Sequence, residues 1–156
     1  MTKLLRGYNA DNQLIFEIGE GADVAESFPV SEEDVCPGMV VSIDQTNPGS
    51  LTKSSTAYDR LVAGVVSGAN GLNCAIRIGE ERIGNHPVAL AGRVYCMVDS
   101  SNGPIQPGDL LTTSSVPGHA MRADDHTKAQ GAILGKAMEP LEAGERGFIL
   151  VLVTLQ

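Results

Sequence analysis

The stretch VCPGMVV, residues 35–41, decides the fold of this chain, because the stretch IQPGDLL repeats its pattern at residues 105–111. In each copy a Pro-Gly pair can form a tight turn, since proline presets its φ angle and glycine accepts a positive φ. The aliphatic residues that follow each turn are typical of a buried strand. The pattern therefore predicts, twice, a β-strand that begins at a tight turn.

Each copy leads through a polar stretch to a second apolar segment that is rich in small residues. These segments are AGVVSG at residues 63–68 and GAILGK at residues 131–136. Glycine and alanine within a strand permit another backbone to approach closely. The two halves together suggest a pseudo-duplicated β unit.

Strand signals dominate the whole chain, because runs of β-branched and aliphatic residues alternate with Gly, Pro, Asn and Asp. They predict strands at residues 14–18, 39–43, 61–66, 87–98, 109–113, 120–123, 131–137 and 147–155. The segment 87–98 reads either as one long strand or as two strands joined by a bend at Gly92. We expect an all-β fold, a compact barrel or a β-clip-like sandwich of short antiparallel strands.

Helix signals are weak. The best candidate lies at residues 24–35, but Pro29 interrupts it and it lacks an apolar stripe of helical period. A single helical turn is expected at residues 127–130. We divide the chain into an amino-terminal arm or hairpin at residues 1–34 and a β domain at residues 35–156, a length sufficient for one core.

Composition excludes several classes of function. The formal net charge is −8, which argues against binding to nucleic acid or to an anionic membrane, since both need a basic face. The amino terminus MTKLLRG lacks the apolar stretch of a secretory signal, and no segment has the length of a membrane span. The three cysteines are far apart and form no CxxC pair. We expect synthesis in the cytoplasm and no membrane insertion.

No metal or cofactor site is expected. The three histidines are isolated from one another, and Asp124-Asp125 before His126 is interpreted as a solvated loop. The glycine-rich segment 64–71 lacks the Lys-Ser/Thr of a phosphate-binding loop and precedes no clear helix. The remaining histidines are His86 and His119.

The residue types of a serine hydrolase are present, but their pattern is not. A catalytic triad would combine Ser114 or Ser115 with His119 and an acid, either Asp99 or Asp109. No G-x-S-x-G elbow occurs, and residues 114–119 resemble a hairpin loop with Pro-Gly at its apex. We therefore assign no catalytic residue.

Four residues remain as candidates for contact with a ligand or a partner. Tyr58 and Arg60 lie just before an apolar strand, and Arg93 and Tyr95 lie on the long predicted strand. Aromatic residues make up only 4% of the chain, which lowers the expectation of a glycan-binding platform. These four residues would be the first to test for a small ligand or glycan in a cleft between subunits.

Residues 35–156 resemble a bacterial and phage β module, similar to the carboxy-terminal intramolecular-chaperone domain of phage neck-appendage and tail-spike proteins. The resemblance implies a homotrimeric β domain that aids assembly and can cleave itself off. Only about 34 residues precede the module in this sequence, and no cleavage nucleophile maps onto any position. The segments that carry the resemblance are VCPGMVV (35–41), YDRLVAGVVSG (58–68), PVALAGRVY (87–95), GDLLTTSS (108–115), GHAM (118–121) and GAILGKA (131–137).

The expected function is a non-catalytic structural or assembly module that forms a homo-oligomer, with three copies expected, in a phage-derived or surface particle. Its partners would be further copies of itself and other particle or tail components. The apolar segment FILVLV at residues 148–153 favours this function, since strands that are apolar on both faces are covered on both. The alternatives are a self-cleaving chaperone of the serine type and a module that binds a small ligand or glycan.

Overall fold

The computed structural model describes residues 3–155 and is nearly all β, with 47% strand and 5% helix. This confirms the predicted all-β fold. The strands are β1 (Lys3–Tyr8), β2 (Leu14–Gly19), β3 (Asp23–Pro29), β4 (Val40–Ile43), β5 (Leu51–Lys53), β6 (Val62–Val66), β7 (Ile76–Ile78), β8 (Asn85–Asp99), β9 (Leu110–Thr113), β10 (Ala120–Arg122), β11 (Ile133–Ala137) and β12 (Arg146–Thr154).

Two short helical segments interrupt the strands: a 3-10 turn at Ala69–Gly71 and a single α-helix, α1, at His126–Ala129. Helix α1 lies where one helical turn was predicted, and Asp125 caps it by accepting hydrogen bonds from the backbone N–H groups of Thr127 and Lys128. Within the part of the chain that the structure describes, no helix is long and apolar enough to cross a membrane.

Strand β3 occupies the segment that held the best helix signal. It pairs with β8 on one side and with β7 on the other, so its backbone groups are satisfied by ladders rather than by a helix. Its buried residues alternate with less buried ones, which is the period of a strand. The sequence did not predict β1, β3, β5 or β7.

The carboxy-terminal half is a closed five-stranded barrel in which β8, β10, β9, β11 and β12 follow one another around the ring. Strand β12 closes it by pairing antiparallel with β8 over nine residue pairs. The opposite junction is a single parallel bridge between Ala120 of β10 and Val98 of β8. Buried aliphatic side chains fill the interior, among them Val94, Leu111, Leu134 and Val151.

The amino-terminal half repeats this ring with β3, β8, β6, β4 and β5. Its last junction is again a single parallel bridge, here between Val30 and Leu51. A second apolar cluster, which includes Val41, Val66 and Val88, packs in this half. Strand β8 has 15 residues and is shared by both halves. Gly92, with a φ of 102°, lies at the point where β8 leaves the amino-terminal half and enters the carboxy-terminal half.

The two halves also share their hydrogen bonds. In each, the glycine of the Pro-Gly turn has a positive φ and donates its N–H to the carbonyl oxygen of the last residue of the small-residue strand, β6 in one half and β11 in the other. The two pairs are Gly38 to Val66 and Gly108 to Ala137, each with an N···O distance of 2.8 Å. The structure therefore contains the duplicated unit that the sequence suggested.

Three further strands extend the amino-terminal half. Strands β1 and β2 form a hairpin, β2 pairs with β7, and β7 pairs with β3, which gives a sheet in the order β1–β2–β7–β3. Residues 3–29 thus continue the sheet of the β domain. The division of the chain at residue 34 stays a prediction.

Candidate functional site

Tyr58 connects the loop between β5 and β6 to the carboxy-terminal half. Its backbone has a φ of 55°, and its hydroxyl oxygen accepts hydrogen bonds from the N–H groups of Asp124, at 3.0 Å, and Asp125, at 2.9 Å. The Lys128 ammonium lies 6.0 Å from the centre of its ring, at the limit of a cation–π contact. These contacts position the segment just before α1.

Replacing Tyr58 with phenylalanine is expected to lower the free energy of unfolding by about 1–2 kcal/mol, because two N–H groups lose their shared acceptor. Urea denaturation measures the change. Tyr95→Phe is the matched control, since Tyr95 is half-buried and its hydroxyl has no hydrogen bond among residues 3–155. Equal stabilities for the two variants would contradict this role of the Tyr58 hydroxyl.

The other three candidate residues lie elsewhere. Arg60 is exposed next to Gly131, and Tyr95 pairs with Leu150 of β12. Arg93 lines an open cleft of about 430 Å³ together with residues 20–22 and 71–73. The structure therefore divides the four residues between different parts of the surface, and their role as ligand or interface contacts stays a prediction.

A second open cleft, of about 380 Å³, lies beside the residues that hydrogen-bond to the Tyr58 hydroxyl. It contains four ionisable side chains. Its arginine is already engaged: Arg122 donates from Nε to Asp124 Oδ1 at 2.5 Å and from Nη1 to the carbonyl oxygen of Pro104 at 2.6 Å. The Asp124 carboxylate raises the pKa of this guanidinium above its ordinary value. The other two ionisable residues in the cleft are Asp109 and His126.

The hydrolase candidates make hydrogen bonds with other partners. Ser114 is buried and its Oγ accepts from the N–H of Val116 at 3.0 Å, while His119 Nδ1 lies 2.8 Å from the carbonyl oxygen of Pro117. Both contacts belong to the hairpin between β9 and β10, which has the predicted Pro-Gly turn. Asp99 accepts hydrogen bonds from Ser101 and Arg146. The self-cleavage hypothesis stays a prediction.

Metal ligands are not brought together in the described part of the chain. Within residues 3–155, no group of three or more His, Cys, Asp or Glu side chains could hold a metal ion. Of the three cysteines, Cys74 and Cys96 are buried and Cys36 is exposed.

One carboxylate is buried against the amino-terminal half. Asp23 is 1% exposed, and its Oδ1 accepts a hydrogen bond from the hydroxyl of Ser67 at 2.8 Å. Its Oδ2 is buried without a hydrogen-bond partner in the described residues. Burial raises the pKa of Asp23 to about 6, and the bond from Ser67 opposes part of that rise. Sequence reasoning missed this pair because 44 positions separate its members.

The β1–β2–β7–β3 sheet holds three of its charged side chains on what we call the inner face. Cross-strand pairing brings Arg6, Glu17 and Arg77 side by side there. Glu17 is 8% exposed and accepts from Arg6 Nε at 2.9 Å, and Arg77 Nε donates to Ser27 Oγ at 2.8 Å. On the inner face Glu17 and Arg77 are thus largely covered, whereas the Arg6 side chain on the edge strand is 46% exposed.

The opposite side of the same sheet, the outer face, carries apolar side chains. One cross-strand row runs through Leu5, Ile18, Ile76 and Val24. A second row runs through Gly7, Phe16, Ile78 and Glu26. A sheet with one face toward water normally buries its apolar side and exposes its polar side, so this mixed sheet, in which β7 and β3 run parallel, is reversed. The alternation of LIFEIG at residues 14–19 was a signal for it.

No protein-family model and no curated protein matches this chain.

Proposed function

We propose that this chain is a non-catalytic structural module that assembles with copies of itself, three being the expected number, in a phage-derived or surface particle. The observation that carries the proposal is the reversed sheet. Eleven large hydrophobic side chains are exposed among the described residues, and six of them lie on β1, β3 and β7. Scattered exposed hydrophobic residues are ordinary, but a concentration on one sheet is typical of an interaction surface.

Two further features support assembly over catalysis. The polar side chains that could act in chemistry are committed to internal contacts: Tyr58 holds a loop, Arg122 pairs with Asp124, and Ser114 stabilises a turn. The resemblance of residues 35–156 to the phage chaperone module implies self-association as well. Both features are compatible with a function in which the surface, rather than a cleft, meets the partner.

In solution the purified chain is expected to form a species with at least twice the single-chain mass of 16.3 kDa at micromolar concentration. Native mass spectrometry combined with light scattering gives the number of copies. A species of 16.3 kDa at every concentration up to about 100 μM would contradict self-assembly, since complexes weaker than that are transient. Genes for tail, baseplate or injection-system proteins beside its gene would support the proposal that the chain assembles into a phage-derived particle.

A further inference from the structure

We infer that the outer face of the β1–β2–β7–β3 sheet is the surface through which copies of this chain meet, so that the outer faces of neighbouring copies share one apolar core. This inference rests on the proposed self-assembly and assigns it to one surface. Leu5, Ile76 and Val24 of the first row are all exposed, at 54%, 37% and 39%. In an isolated chain these side chains would remain in contact with water.

The outer face lies on the same side of β3 as a side chain of the internal core. Val24 and Phe28 lie on the same side of β3, because side chains alternate along a strand. Phe28 packs, with Leu90, against the buried cluster of the amino-terminal half. Glu26 stands between Val24 and Phe28 on the same side, so a single carboxylate separates the exposed row from the buried cluster along β3.

Edge pairing is a poorer explanation for the exposed residues than contact through the face. Strand β1 is the free edge of the sheet, but its pairing with β2 has register shifts near both ends, between Lys3 and Leu5 and between Gly7 and Tyr8. Such bulges twist an edge and hinder its pairing with another strand. On the outer face, a Cβ on Gly7 would lie 1.9 Å from the Phe16 ring, so that ring lies across β1.

Charge favours a copy of the same chain as the occupant. The chain carries a net charge of −8, so copies repel unless the surfaces in contact are uncharged. The first row is entirely aliphatic, and Glu26 stands at the β3 end of the second row, next to the barrel. A basic partner would find no acidic cluster in the centre of this face, whereas a second uncharged face fits it.

The size of the outer face suits the centre of an interface. With strands about 4.8 Å apart and rows about 6.7 Å apart, two rows across four strands cover roughly 260 Å². A stable interface buries about 800 Å² on each partner, as an apolar centre with a polar rim. Surrounding loops would supply the rim.

The test introduces a charge at two positions of the outer face, singly, as Leu5→Glu and Ile76→Glu. Both side chains reach water in a single chain, so each variant is expected to fold, with thermal unfolding and circular dichroism as the check. In the contact between copies the new carboxylate would be buried without a partner, and the dissociation constant is expected to rise about a hundredfold or more. Light scattering over a dilution series measures it.

Ile83→Glu is the matched control, because Ile83 is the same residue type, fully exposed, and outside the sheet strands. A control with the mass of the unmodified protein and face variants that dissociate would support the inference. An oligomer whose dissociation constant is unchanged in both face variants would overturn the inference and leave self-assembly intact. A wild-type chain that is monomeric throughout would overturn both.

A second measurement reports proximity directly. In a Cys36→Ser background, Ile76→Cys is expected to form a disulfide between copies under mild oxidation, because the same face meets itself. Ile83→Cys is expected to stay monomeric on a non-reducing gel. Equal or stronger cross-linking of Ile83→Cys would contradict contact through the outer face.

Discussion

Replacing Gly135 with alanine is expected to lower the free energy of unfolding by about 3 kcal/mol or more, the upper end of what overpacking costs. A Cβ at this position would lie 2.0 Å from the carbonyl oxygen of Leu152, and that oxygen belongs to the neighbouring barrel strand β12. Backbone cannot move aside as a flexible side chain can. In a domain of this size the melting temperature is expected to fall by about 10 °C.

Gly147→Ala is the matched control for this prediction. Gly147 lies on β12 of the same barrel, and a Cβ there would meet nothing closer than Leu141 Cδ1, at 3.9 Å. Its stability is expected to stay the same or to rise by about 0.4–1 kcal/mol, since alanine restricts the unfolded chain. Calorimetry on the two variants compares them, and equal melting temperatures would show that β11 and β12 are farther apart than described.

Gly64→Ala is the counterpart in the amino-terminal half and is expected to act in the same direction. A Cβ on Gly64 would lie 2.3 Å from the carbonyl oxygen of Ala89 on β8. Gly64 pairs with Val41 of β4, as Gly135 pairs with Leu111 of β9. The close approach is thus a repeated feature of the duplicated unit.

Asp23→Asn is expected to raise the free energy of unfolding at pH 8 by at most about 3 kcal/mol, the upper bound set by a pKa difference of about two units at 1.36 kcal/mol each, because the amide NH2 is itself buried without an acceptor. The ionised Asp23 carboxylate is buried with a partner on one oxygen alone among the described residues, and burial raises its pKa from 3.8 to about 6. The amide keeps an oxygen that can accept from Ser67, without the buried charge.

The sign of the pH dependence follows from the same shift. Because the folded-state pKa lies above the unfolded value, the folded protein binds more protons between pH 4 and pH 6, so falling pH stabilises it. The cost of the ionised group is about 3 kcal/mol at pH 8 and roughly half of that at pH 5. The wild-type protein is therefore expected to gain stability between these pH values through Asp23, and Asp23→Asn is expected to lack this gain.

Urea denaturation at pH 5 and pH 8 measures the difference, and NMR titration of the Asp23 carboxyl carbon measures the pKa itself. Asp11→Asn is the control, since Asp11 is exposed in the turn between β1 and β2. A titration midpoint near 4 for Asp23, or the same pH dependence in both variants, would show that the carboxylate is solvated.

Local patterns were sufficient for much of the fold. The Pro-Gly turns and the aliphatic runs after them act over a few residues, so the strands β4, β6, β9 and β11 could be predicted along with their repetition. The close approach at Gly135 was also predictable, because small residues within a strand have few other uses.

The candidate sites were less accessible to such reasoning. Tyr58 is a candidate from the sequence alone, but its structural role depends on hydrogen bonds with Asp124 and Asp125. These residues lie 66 and 67 positions farther along the chain. Arg93 was grouped with Tyr58, although they line different parts of the surface. Strands β1, β3 and β7 were missed because their residues are stabilised by cross-strand partners rather than by their own propensities.

By itself the amino-acid sequence determined the all-β class, the tight turns and the duplicated unit, because turn chemistry and strand period are properties of neighbouring residues. Only the tertiary structure decided that the two rings share β8, that Asp23 is buried, and that the apolar side of the β1–β2–β7–β3 sheet is the uncovered one. Alternation along a strand defines two faces, but which face is covered depends on what packs against it from distant parts of the chain.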